Sequence, residues 1–447
     1  MKANESLELS TRFREMLSQD LSSPFIELYP KELVSDYIKE NSLKVRNTIF
    51  TIENTLLTML LTAQQEDKSL QQSVNLFKIL YEKESRKIQE SETQQLFKAK
   101  EATMTSQVKK AGRPRQFKSK LRKSILKEIS ESTAAYSIAR NRLPLDLVKK
   151  MFEYVRSFDD HENEQWHGLS TYIADGAYLQ LQDTKAIREK YPVLKGEGNY
   201  PQALIEVLIR QGSGQIVDYS LSNRQTSELT LIQTMLARLP KNSLLLADDL
   251  YNTYYNFCVI QAQKSHIIVP GKRDRNFTIA ETINDNDHIV EIKKPKTRPQ
   301  TVSKEEWKAL PKSILLRHIE YEYPTKNGIE KAVLYTTILD RNIKDTSIIE
   351  KYEKRWDIEI CIREIKMFMD INVLRSKSCD MLEKELLVAL IACNFIRKLI
   401  SMSAQKADIS PQRDIFQECF TSNRVVFTDK RGRVFCKKST GRPRQTN

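Results

Sequence analysis

Apolar and polar positions follow two different rhythms along the chain. Residues 1 to about 155 are rich in helix formers, show no strand-like alternation, and contain only Pro24 and Pro30 ahead of the basic segment around Pro114. Within this region STAAYSIARNRLPLDLVKKMFEYV predicts two short helices divided at Leu143-Pro144, either a helix-turn-helix or a plain helical hairpin. From about residue 165 the period changes to two. STYIADGAYLQLQ reads as a strand, and PQALIEVLIRQGSGQIVDYSLS as two strands meeting at the turn signal GSG. A helix (SELTLIQTMLARL), an apolar strand (SLLLAD), a second helix (YNTYYNFCVIQ) and another strand (SHIIVP) follow. Between about 272 and 340 the stretches KRDRNFTI, HIVEIKK, SILLRHIEYEY and AVLYTTILD predict short strands with turn-rich connections.

Three strands, then helix, strand, helix and strand is the order of an RNase H-like mixed sheet. The expected fold is therefore α/β: an RNase H-like mixed-sheet core with a β-rich insertion, flanked by helical N-terminal and C-terminal regions. The expected domains are a helical region over 1–155, a core over 156–400 with its insertion at about 272–340, and a basic region over 401–447.

The late stretch YEKRWDIEICIREIK, residues 352–366, holds eight charged side chains. At about 100° per residue, one helix through it gathers Tyr352, Arg355, Glu359 and Lys366 within an arc of roughly 60°, with Arg363 beside them. Ile358, Cys361, Ile362, Ile365 and Phe368 occupy the opposite side as an apolar stripe. Such a helix has a buried back and a front carrying one carboxylate among cations and a phenol.

Charge enlarges the picture. Lys and Arg outnumber Asp and Glu by 72 to 58 over 447 residues, a net charge of +14 that favours a polyanionic partner. Eight of those cations and no acid lie between Lys109 and Lys123, a solvated linker or a phosphate contact. The tetrapeptide GRPR occurs there, with Arg113 and Arg115, and again at 441–444. Its Gly-Arg-Pro core resembles the AT-hook, an arm that enters the minor groove; a basic tail touching phosphates without specificity is the alternative. The six cysteines are scattered without a CxxC pair, so neither a zinc site nor a disulfide framework is indicated. No apolar run approaches the roughly 20 residues of a membrane span, and the acidic N-terminus is no secretory signal. A cytoplasmic, nucleoid-associated protein of bacterial type is expected.

Phosphoryl transfer by in-line displacement uses two divalent ions held by a few carboxylates. Three candidates stand in order: Asp175 in the first strand, Asp248 or its neighbour Asp249 after the apolar strand, and Glu359 on the late helix. Each has a plainer use, as a turn residue, a helix cap or half of a surface pair. Trp307, Trp356, Tyr321, Tyr323 and Tyr335 are candidates to stack on a flipped base, although core packing is the commoner role. Arg224 and Glu228 flank the expected cleft, or belong to a helix start capped by Thr226 or Ser227.

The spacing Tyr352-x2-Arg355-x3-Glu359-x6-Lys366 resembles the YREK signature of the IS4 family of insertion-sequence transposases. ADGAYLQLQDT and LLLADD are similar to that family's first two acidic motifs, and EDKSLQQSV and YSIARNRLPLDL to its N-terminal blocks. The resemblance spans most of residues 45–400. It implies a DDE site of Asp175, Asp248 and Glu359 holding two Mg²⁺ ions, for which Mn²⁺ can substitute. It also implies phosphate contacts by Tyr352, Arg355, Lys366 and the adjoining Arg363. Cleavage at terminal inverted repeats and strand transfer into target DNA, by a homodimer assembled on DNA, would follow. The alternative is a catalytically inactive or domesticated DNA-binding descendant. One departure stands out: relatives often carry Asp-Arg-Gly-Phe where this chain has Asp248-Asp249-Leu250-Tyr251.

Overall fold

The structure is a computed structural model. It describes residues 28–44, 48–63, 68–79, 81, 132–158, 165–193, 200–271, 275–325, 328–356, 373–407, 424–428 and 434–438. Glu359, Arg363, Lys366, Arg113, Arg115 and both GRPR segments lie outside the described residues. The chain divides into two compact units, one spanning Arg14–Val148 and the other comprising the rest.

The first unit is helical where it is described. It contains α1 (Lys31–Glu40), α2 (Ile52–Ala63) and α3 (Ala134–Arg142). Helix α2 buries seven of its twelve residues, three threonines among them. Thr55, Thr58 and Thr62 can be buried because each hydroxyl donates to the carbonyl four residues back, at 2.6, 2.6 and 2.7 Å. Phe50 meets Phe77 at 4.8 Å and Tyr136 at 5.2 Å between ring centroids, closing a small aromatic core. Helix α4 (Leu145–Arg156) follows α3 across Leu143-Pro144, so the two helices expected around that proline are present.

The second unit is built on one nine-stranded sheet of order β3-β2-β1-β4-β5-β9-β8-β7-β6. Strands β1 (Ser170–Gln180), β2 (Gln202–Arg210) and β3 (Ile216–Asn223) are antiparallel neighbours. The short helix α5 (Lys185–Lys190) follows β1. Helix α6 (Glu228–Leu236) leads to β4 (Ser243–Leu246), and α7 (Tyr254–Ala262) leads to β5 (His266–Pro270). Strands β4 and β5 run parallel to β1, as a crossover helix between strands requires. This is the RNase H-like core expected from the chain order.

The insertion is β-rich and joins the same sheet. Strands β6 (Thr278–Asn284) and β7 (Asp287–Lys293), helix α8 (Lys304–Ala309), and strands β8 (Ser313–Thr325) and β9 (Gly328–Thr336) follow one another, and β9 docks antiparallel on β5. One apolar core runs beneath both parts, from Ala174 and Leu208 through Leu245, Phe257 and Val269 to Leu316 and Tyr335. Inside the insertion Arg317 and Asp287, each only 1% exposed at the side chain, form an ion pair. The Arg317 Nη1 also donates to the carbonyls of Asp340 and Ile343, at 2.9 and 2.8 Å, pinning the loop that leaves the sheet.

That loop enters α9 (Asp345–Glu353), and the long helix α10 (Cys379–Ala407) comes later. Asn394 of α10 acts as a substitute strand for β3: its side-chain oxygen accepts from the Ile216 N–H and its amide donates to the Ile216 carbonyl, both at 2.8 Å. Beyond α10 the described residues form a hairpin, β10 (Arg424–Thr428) with β11 (Val434–Lys438), which the helical reading of this region left out. Among the described residues no helix is long and apolar enough to cross a membrane.

Candidate active site

Parallel pairing of β1 with β4 aligns Ser170 with Ser243 and continues to Ile173 with Leu246. Two residues on from that last pair stand Asp175 and Asp248, near enough for the charge of Asp248 to act on Asp175, at the carboxyl end of the parallel pair where open α/β sheets bind ligands. Each aspartate is half-buried. The Gly176 N–H donates to the Asp175 Oδ1, and the Leu250 N–H to the Asp248 Oδ1, both at 2.9 Å. Asp248 is the N-cap of a one-turn 3-10 helix, Asp249–Tyr251, and Asp249 itself is exposed.

Burial is the main reason that both carboxyls titrate above the ordinary aspartate range. Negative neighbours add to it: Asp248 and Glu228 act on Asp175, and Asp249 acts on Asp248. The backbone N–H groups and the Arg355 guanidinium oppose the shift in each case. Glu228, at the first turn of α6, is likewise raised by burial and by Asp248. The helix start there is capped by Ser227, whose hydroxyl accepts from the Thr230 N–H. Arg224 turns to Tyr178, its guanidinium 4.5 Å from the ring centroid, and donates to Gln202.

A fourth carboxylate lies behind these. Glu206 stands in the apolar strand ALIEVLIR, is wholly buried, and accepts a hydrogen bond from the Tyr251 hydroxyl. Burial pushes its carboxyl up to about 8. The sequence reading missed it, yet a single acid in an otherwise apolar strand was a visible signal, since buried acids are rare without a partner.

The continuous helix read from Tyr352 to Lys366 begins differently. Helix α9 ends at Glu353 and passes into a 3-10 turn, Lys354–Trp356, so Tyr352 and Arg355 stand on different helical geometries. Tyr352 is buried, not displayed on a solvent-facing front; its hydroxyl donates to the Ala247 carbonyl at 3.3 Å. The Arg355 guanidinium lies 5.7 Å from the Tyr352 ring centroid. Gln211 holds this corner, accepting from the Lys351 Nζ at 2.6 Å and donating to the Lys354 carbonyl at 3.5 Å. Trp307 and Tyr335 are core residues, buried with α7 and β5.

The donor chemistry fits a hard divalent cation. Asp175 and Asp248 offer carboxylate oxygens whose charged forms are penalised by burial and by negative neighbours, a cost that a dication removes. No group of three His, Cys, Asp or Glu residues is close enough to hold a metal among the described residues. The third expected acid, Glu359, lies outside them.

A family model described as a transposase DDE domain matches residues 166–395, more than half of the chain. The transposase InsG for insertion sequence element IS4, from Escherichia coli K12, is 25% identical over 305 residues, which cover 65% of this chain and 66% of that protein. The putative transposase InsZ of the same organism is 29% identical over 125 residues, 26% of this chain and 42% of its own length. The chain thus spans just under two thirds of the first relative and less than half of the second. Among solved structures, a piggyBac transposase synaptic complex with hairpin DNA aligns at a TM-score of 0.31 and 11% identity, over 57% of this chain and 52% of that one. With its acidic motifs lying inside the matched segment, the chain belongs to the DDE transposase family, as an IS4-type member.

Proposed function

We propose that the protein cleaves DNA at the terminal inverted repeats of its element and joins the freed ends to target DNA, in a Mg²⁺-dependent reaction. The register that brings Asp175 beside Asp248 at the end of two parallel strands carries this reading. It also favours Asp248 over Asp249 as the second acid. Glu359, at the family's signature position, is the third.

Two Mg²⁺ ions, when bound, stabilise the attacking and leaving oxygens of the displacement. The protein's part is to orient and to screen. The Gly176 and Leu250 N–H groups fix one oxygen of each aspartate, leaving the other for a cation. Arg355 adds positive charge beside both carboxylates, suited to a scissile phosphate, while buried Tyr352 anchors the helix end that carries it. Lys366 and Arg363 extend that surface, Arg113 and Arg115 supply contacts outside the core, and a dimer on DNA presents both ends.

Asp175→Asn, Asp248→Asn and Glu359→Gln keep side-chain size while removing charge. Each is expected to reduce Mg²⁺-dependent nicking of a terminal-repeat duplex to background and to leave binding of that duplex in place, followed by gel shift. Nicking that survives at the wild-type rate in any of the three removes that residue from the site. A wild-type chain that binds ends without nicking them identifies a protein that has lost its chemistry.

A further inference from the structure

The geometry points to Glu206 and Tyr251 as positioning residues: a buried strut that passes over Gly176 and sets the separation of Asp175 from Asp248. This rests on the reading of those aspartates as the metal-binding pair.

The sheet order places β1 between β2 and β4. Glu206 on β2 lies directly opposite Gly176 on β1, and Tyr251 belongs to the turn that begins at Asp248, beyond β4. Directly opposed residues of an antiparallel pair project to the same face. To reach the Tyr251 hydroxyl, the Glu206 carboxyl must therefore cross above the Gly176 Cα. A Cβ at position 176 would lie 2.8 Å from the Glu206 Oε2 and 3.0 Å from the Glu228 Cδ, so a side chain there would press on both carboxyl groups. Neighbouring residues on a strand face opposite sides; the strut thus backs Asp175 from behind.

The connection is specific. Tyr251 is 2% exposed and Glu206 is 0% exposed, and the Glu206 Oε2 has no hydrogen-bond partner. The hydroxyl of Tyr251 thus links β2, the strand paired with the one bearing Asp175, to the turn capped by Asp248. At its other end the same turn is held by the Asn256 amide, which donates to the Tyr251 carbonyl at 3.0 Å. Losing the hydroxyl frees the Asp248 turn to shift relative to β1 without touching either aspartate.

The test uses the full chain. Mn²⁺ binding without DNA is read by electron paramagnetic resonance of the free ion, alongside the metal dependence of end nicking. Tyr251→Phe keeps the ring and is expected to weaken Mn²⁺ binding and raise the metal concentration for half-maximal nicking, each about tenfold, with nicking recovering at saturating metal. Glu206→Gln retains an acceptor for the hydroxyl and should hold both midpoints near wild type, whereas Glu206→Met should move them as Tyr251→Phe does. A Tyr251→Phe chain with wild-type midpoints, or Gln and Met variants that shift alike, overturns the strut. Asp175→Asn, run in parallel, separates the two readings: if it binds Mn²⁺ as wild type does, the metal site itself is misassigned and the strut falls with it.

Discussion

Glu206 shows at the level of one side chain how the fold handles an acid in its interior. Its carboxyl titrates near 8, against an ordinary value of 4.5, chiefly because of burial. The folded state therefore holds this proton more tightly than the unfolded chain. Its contribution to stability is complete below about 4.5 and is lost as pH climbs through about 8. Glu206→Gln has no such proton, so wild type should lose stability relative to the variant between those pH values, as measured by urea unfolding. Parallel stability curves for the two would mean that Glu206 is ionised in the fold. Nothing in the signals that singled out Asp175 and Asp248, an acid-glycine step in the first strand and the end of an apolar strand, looks for an acid of this kind. Glu206 sits mid-strand, and its partner Tyr251 comes from another part of the chain.

At the scale of elements, the core strands were legible as short apolar runs: β4 is buried throughout, and β2 and β5 at all but their end residues. The end of α9 was not. Periodicity from Tyr352 onward suits one unbroken helix, while packing decides otherwise: Tyr352 is drawn down to Ala247, and Gln211 bonds on either side of Glu353. Such contacts join positions more than a hundred residues apart, which a local pattern cannot register. The Arg317 and Asp287 pair is a further long-range feature, linking two strands of the insertion to the loop before α9. Arg317→Ala leaves Asp287 buried and uncompensated and should cost roughly 3–5 kcal/mol in unfolding free energy. Urea denaturation measures it; a loss below about 1 kcal/mol would show that the pair is dispensable.

For the whole molecule, the excess of 72 basic over 58 acidic residues would set the terms of the proposed association with DNA. Phosphate contacts release counterions, so end binding should weaken on the order of a thousandfold or more between 50 and 200 mM salt if about six or more phosphates are engaged. Fluorescence anisotropy over that range checks it, and a flat response would exclude a mainly electrostatic interface. The order of elements was enough to anticipate the core, since few topologies satisfy three strands followed by alternating helices and strands. That the insertion would share the core's sheet was not readable, because pairing between β5 and β9 depends on edges meeting in space.

That pairing has a consequence for how such a chain changes over generations. The polypeptide leaves β5 at Pro270 and comes back along the same strand, with Leu334 beside Pro270 and Thr336 beside Ile268. Exit and re-entry are neighbours, so the excursion between them is a closed detour whose length costs the remainder little in chain entropy. Descendants can lengthen, trim or recast it without rerouting the path from one aspartate to the other. Changes of length in the turns of the detour are thus the cheap variation in this protein, whereas the side chains it lends to the shared core stay constrained.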